Sequence, residues 1–231
     1  MLARSLPLAA VCATLGLVAL GSTALASGEP GKLPPQTLRG PEDRLQEYPT
    51  VSLATPAQRA GAERLLAQIR ASARRWRRLP DATAAGFDTR TARRRHGDPS
   101  VHYLHAEHHV YSQDHVYLDP RRPEALIYAN VPGHPLLLVG MMFSMPRGVH
   151  GPTPGGPITR WHTHKVCVRG NARGLAPRAD GSCPPGTRVR HGSEMLHVWF
   201  THDLRSSFAI HAPAPELGLT RPFPGVLVCQ L

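Results

Sequence analysis

Lysine is nearly missing from this chain: Lys32 and Lys165 stand against 25 arginines. Such a skew follows from GC-rich coding alone, so the basic charge is not by itself a sign of a polyanion partner. Catalytic signatures are missing as well. No Gly-x-Ser-x-Gly is present, which leaves a nucleophile-elbow hydrolase unsupported. Neither Gly-x-x-x-x-Gly-Lys-Ser/Thr nor Gly-x-Gly-x-x-Gly occurs, so nucleotide phosphates have no recognisable cradle. Aromatic residues make up 6% of the chain and do not interleave with basic ones, so no nucleic-acid partner is expected. After residue 26 no apolar run is long enough to cross a bilayer.

The N-terminus differs from the rest. Arg4 precedes an uncharged run from Leu6 to Leu25, closed by Ala24-Leu25-Ala26 and the polar Ser27-Gly28-Glu29. A single positive charge, an apolar centre and a small-x-small end form the pattern of a secretory signal peptide over 1–26. The alternative is an uncleaved anchor, since about 20 apolar residues can span a membrane. No cysteine follows the small residues, which argues against a lipid-anchored form. A secreted, periplasmic or envelope-exterior location is therefore expected, with no stable transmembrane segment after cleavage.

Cysteine is scarce, and Cys12 would leave with the leader. An oxidising compartment makes a disulfide the default for the remaining three. Cys167 and Cys183 flank a loop of Gly, Pro and Arg and form the favoured pair. Cys229 is then a spare thiol or the true partner of one of them.

The formal charge of +11 is unevenly spread. Eleven arginines between residues 56 and 95 face only Glu63, Asp81 and Asp88. A surface of this kind could dock on an anionic cell-envelope component such as wall polymer or lipid headgroups. The plainer reading is the solvated face of an amphipathic helix.

Residues 27–54 hold much Pro, Gly and charge and read as a disordered or extended lead-in to a single domain over 55–231. Thr55-Pro56 supplies an N-cap followed by Pro at the first helical position. Leu65, Leu66, Ile69, Ala73 and Trp76 then recur at helical spacing, predicting a helix over about 56–78 with Arg59, Arg70, Arg74 and Arg77 on its outer side. A short second helix over 81–87 would stop at Gly86. From about residue 100 the pattern becomes strand-like, with runs at Ala125–Ala129, Leu136–Met145, Thr159–Val168, Met195–Thr201 and Ser207–Ala212 separated by Pro/Gly segments. The expected class is α+β: an amphipathic helix packed on an antiparallel sheet, sandwich or small open barrel.

Histidine is what the chain has in excess. All fourteen lie between His96 and His211, and imidazole is the commonest protein ligand for transition metals. In Arg160-Trp161-His162-Thr163-His164 a strand would turn both rings to one side, about 6–7 Å apart at their Cα atoms. They could converge on one ion, or remain an exposed or core pair. His197, in the apolar Leu196-His197-Val198, needs partners for both ring nitrogens, and a metal backed by an acceptor would supply them. His102 is a fourth candidate, and His211 a weaker one. The dense segment His102–His109 does not match His-Glu-x-x-His, because Glu107 stands two residues after His105. It reads as an exposed cluster that holds metal weakly.

Ala84-Ala85-Gly86-Phe87, His102-Tyr103, Leu118-Asp119-Pro120-Arg121-Arg122-Pro123-Glu124-Ala125-Leu126-Ile127-Tyr128 and Trp161–Cys167, in that order, resemble a family of exported bacterial proteins. The resemblance spans roughly residues 56–212 and implies export and a single domain, with no activity attached. Separately, His162-x-His164 with a later strand histidine is similar to the ligand arrangement of cupins, although the Glu and Gly positions of that pattern are missing.

Taken together, these features lead to an expected extracytoplasmic metal-binding protein with a mononuclear site from His162, His164, His197 and His102, the metal being zinc, copper, iron or nickel. If the site were catalytic, it would activate water or oxygen on a small molecule, with Glu194 or Tyr103 handling protons. The alternative is a non-enzymatic basic module for anionic envelope material, with structural histidines.

Overall fold

The structure, a computed structural model, describes residues 45–88, 100–107, 115–129, 135–170, 178, 181–215 and 217–219. The leader, most of the lead-in, His108, His109 and Cys229 lie outside the described residues.

Thr55 begins helix α1 (Pro56–Ala73) with a reciprocal cap. Its hydroxyl accepts from the Gln58 amide at 3.2 Å, and the Gln58 side chain accepts from the Thr55 amide at 2.9 Å. A 3-10 turn over Arg74–Trp76 extends the helix, and α2 (Leu79–Ala84) follows. Leu65, Leu66, Ile69, Ala73 and Trp76 are all buried, as their spacing predicts. Arg59, Arg74 and Arg77 are exposed, but Arg70 departs from that face and donates to the Thr201 carbonyl. At Gly86 the backbone takes φ +95°, a conformation that ends α2 and strains any residue with a Cβ.

The strands are β1 (Ser100–Leu104), β2 (Ala125–Ala129), β3 (Leu137–Ser144), β4 (Lys165–Val168), β5 (Arg188–His191) and β6 (Met195–Trp199). They form two antiparallel sheets, a four-stranded one in the order β1-β2-β3-β6 and a β4-β5 pair. An α+β fold with antiparallel sheets is thus what the chain adopts.

Period-two alternation gives the four-stranded sheet two distinct faces. Tyr103, Leu126, Met141 and Val198 stand opposite one another across the strands. They belong to the larger apolar cluster, which also contains Leu65, Ile69 and Trp76. The other face carries His102, Leu104, Ala125, Ile127, Met142, His197 and Trp199. Its apolar members form a second cluster with Ala209, Leu217 and Leu219 from the C-terminal part of the chain. Gly140 lies between Ile127 and Trp199 on that face, and a Cβ there would press on the Trp199 ring and the Val198 carbonyl.

Two predicted strands differ in the structure. Over Thr159–Val168 only Lys165–Val168 is a strand; upstream, His162 pairs with Met195 through an isolated bridge, with N···O distances of 3.0 and 2.8 Å. The Ser207–Ala212 run is not a strand. Asp203 caps a short helix, α3 (Leu204–Ser207), by accepting from the Ser206 amide at 2.9 Å. The chain after α3 is held to β6 by ring N–H groups rather than by a ladder: Trp199 Nε1 donates to the Ala209 carbonyl at 2.9 Å. Cys167 and Cys183 form the expected disulfide, which ties β4 to the segment leading into β5.

Candidate metal centre

Three elements bring histidines to the second face of the sheet. His197 comes from β6, and His162 and His164 from the segment bridged to Met195 beside it. One ring nitrogen from each of His162, His164 and His197 lies within 4.8 Å of the other two. The ring centroids of His162 stand 5.1 Å from those of His164 and 5.0 Å from those of His197. His102 arrives from β1, at the far side of the sheet, and its Nε2 is 3.3 Å from the Nε2 of His197. In a flat sheet, three strand spacings of about 4.8 Å would hold β1 and β6 roughly 14 Å apart. Contact therefore requires the sheet to coil around this face.

The chemistry of the donor set follows from what holds each ring. His197 Nδ1 is 2.6 Å from the Ile210 carbonyl, which can only accept, so Nδ1 carries the proton and Nε2 bears the lone pair. Burial foremost, and then the neighbouring His162, His102 and His164, keep the His197 pKa well below 6.5, and the ring is neutral. A neutral imidazole with its second nitrogen bonded to a carbonyl is the form that binds metal. The 3.3 Å separation from His102 also suits this role, since two nitrogens at 2.0–2.1 Å from a tetrahedral ion lie about 3.3–3.4 Å apart. His162 is fully buried, whereas His164 is half-buried and sits on the more open side of the group.

The remaining candidates are elsewhere or in other roles. His105 Nε2 donates to the Ala85 carbonyl at 2.9 Å, its Nδ1 accepts from the Glu107 amide at 3.1 Å, and the ring edges against Phe87. It is a structural residue and not part of an exposed metal-holding cluster. Tyr103 points to the opposite face from His102, as strand alternation demands, and packs edge-on to Tyr128. The Glu194 carboxylate is directed at His150 Nδ1, 2.8 Å away, and at the Gly151 amide. Neither residue is in contact with the three clustered rings in the way a proton handler would need. His211 stands beside His164, with ring centroids 6.2 Å apart.

Sequence reasoning gave no hint of Glu47, which lies in the stretch read as lead-in. Its carboxylate accepts from both the backbone amide and the Nδ1 of His211, each at 2.7 Å, and its carbonyl accepts from the Ile210 amide at 3.0 Å. Burial pushes the Glu47 carboxyl up, but the bonds from His211 outweigh it, and the net pKa is lowered. Arg160 is buried nearby and is felt electrostatically by Glu47. No local pattern marks such a carboxylate, because its partner lies 164 residues away.

No protein-family model, curated protein or solved structure matches this chain. Any functional reading therefore stands on the histidine geometry. Among the described residues, no helix is long and apolar enough to cross a membrane.

Proposed function

We propose that this is an extracytoplasmic metal-binding protein whose mononuclear site is built by His162, His164, His197 and His102. The observation that carries the reading is the meeting of His102 and His197 at 3.3 Å, from the outer strands of one sheet, beside the His162/His164 pair. Two buried rings, His162 and His197, with the half-buried His102 and His164 beside them, come from three places in the chain, and such a gathering is expensive unless a cation draws it together. All-imidazole donors suit zinc, copper, iron and nickel, softer ions than calcium or magnesium. When bound, the ion would supply Lewis acidity. The chain's part is to hold His197 in one tautomer through Ile210 and to keep the buried side of the site dry.

The leader-like N-terminus and the Cys167–Cys183 bond support an oxidising compartment. The test is metal analysis of untagged full-length protein. Near-stoichiometric transition metal is expected, with loss of it in a His162→Ala/His164→Ala double variant that keeps its fold by circular dichroism. Metal-free protein that instead shows salt-sensitive retention on anionic envelope material would overturn this reading in favour of the basic-module alternative, through the exposed Arg59, Arg74 and Arg77.

A further inference from the structure

Two surface arginines of this fold hold a carboxylate in the same way. Arg78 clasps Asp81 with Nε and Nη2, each at 2.8 Å, and Arg121 clasps Asp119 with the same two nitrogens at 3.2 and 3.1 Å. The parallel N–H bonds of this edge match the two oxygens of a carboxylate. Arg160 carries the same edge into the interior. The residue is 3% exposed, its Nε and Nη2 are out of reach of solvent, and no acceptor among the described residues bonds either nitrogen.

Such an arrangement is costly. A guanidinium cannot be deprotonated in a protein, so burial does not neutralise it. A buried charge is tolerated when it is paired and its donors are bonded. Arg70 also has a buried Nε without an acceptor, but it is anchored through Nη2 to the Thr201 carbonyl. At Arg160 both nitrogens of the edge lack a partner.

The carboxylate that Arg160 feels is that of Glu47, and it acts through space. Both Glu47 oxygens are taken by His211, Oε1 by the backbone amide and Oε2 by Nδ1. Glu47 thus tempers the charge of Arg160 without bonding its donors. Glu47 also lines a surface pocket of about 450 Å³ with Tyr48, Thr50 and Arg205, so solvent comes within electrostatic reach of Arg160.

We propose that Arg160, two residues before His162, is the anchor of a binding site for a small carboxylate-bearing molecule, gripped at two points by Nε and Nη2. A side chain so deeply buried admits no macromolecular polyanion, and the weak screening around it strengthens the attraction. This site does not depend on the metal reading. Full-length protein, as purified and again after its metal is stripped and the chelator dialysed away, is unfolded by heat in sodium chloride and in sodium acetate of equal ionic strength. Acetate is expected to raise the midpoint and chloride to leave it, because a ligand that binds only the folded chain stabilises it. In Arg160→Lys the acetate dissociation constant should rise about tenfold, since an ammonium is a point charge without the two-point edge. Arg160→Met removes the buried charge at similar length, so it should unfold at a higher midpoint than the unaltered protein in chloride and show no response to acetate.

No acetate effect in the unaltered protein would sink the proposal, as would an unchanged acetate dissociation constant in Arg160→Lys. A lower midpoint for Arg160→Met in chloride would make Arg160 a structural residue and overturn it as well. An acetate effect that disappears with the metal would assign the anion to the ion instead of Arg160. Phosphate bound more tightly than acetate would overturn the carboxylate class. None of these failures touches the metal reading, which is judged by metal content alone.

Discussion

His197 Nδ1 donates to the Ile210 carbonyl at 2.6 Å, and this one bond decides which edge of a fully buried imidazole meets the other histidines. Without it, either tautomer of the ring would be available and the nitrogen facing His102 could carry the proton instead. With it, the lone pair on Nε2 is fixed toward His102, on the ring that also packs against His162 and His164.

His102→Ala should weaken metal binding by at least roughly 10- to 100-fold, the range seen when even an outer partner of a metal ligand is removed. Competition with a chromophoric chelator measures it. Affinity unchanged in this variant would remove His102 from the ligand set and leave a three-histidine centre.

The metal-free protein should lose stability on acidification. His197 is neutral in the fold, its pKa held well below 6.5 by burial and by neighbouring His162, His102 and His164, while in the unfolded chain it takes up a proton near 6.5. The unfolded state therefore binds more protons below that value. Stability is full above pH 6.5 and falls as the pH drops from there toward the folded-state pKa. Guanidinium unfolding midpoints of chelated protein at about pH 7.5 and 5.5 should differ accordingly, and His197→Gln should flatten the difference. A slope as steep in the variant would assign the acid sensitivity to other groups.

Breaking the disulfide should act on both stability and the site. Cys167 and Cys183 are 16 residues apart, and opening a loop of that size costs about 3 kcal/mol. For a chain of this length that is a fall in Tm of roughly 6–12 °C. Because β4 follows His164 directly, Cys183→Ser should also weaken metal binding, whereas a purely local role for the bond would leave affinity as it was.

Gly61→Ala reverses the usual helix rule. In a helix interior this exchange stabilises by about 1 kcal/mol. Here the added methyl would run into the Pro154 carbonyl, a backbone atom that cannot swing aside, so a net loss of about 1–3 kcal/mol is expected. Thermal unfolding of the two proteins checks it; a more stable variant would mean that the 154–156 loop yields readily.

Some of this was legible in the chain because it is written locally. The cap at Thr55, the helical spacing of Leu65, Ile69 and Trp76, and the run Ala125–Ala129 are patterns of neighbouring residues, and each takes its expected form. Alternation alone puts His102 and Tyr103 on opposite faces, and this keeps Tyr103 away from the histidines. The Ser207–Ala212 run misled because apolar, β-prone residues can equally line an irregular segment once Asp203 caps a helix in front of them.

By itself the sequence determined an α+β chain with antiparallel strands and the identity of the residues able to bind a metal; it favoured Cys167–Cys183 over a pairing with Cys229, and the structure forms it. Only the tertiary structure decided which histidines meet. It retired His105 to the Ala85 carbonyl, set His211 against Glu47, and brought β1 to β6 by coiling the sheet. The reason is physical: periodicity fixes the face on which a side chain stands, but distance across a sheet depends on its curvature, and curvature is set by packing between residues far apart in the chain.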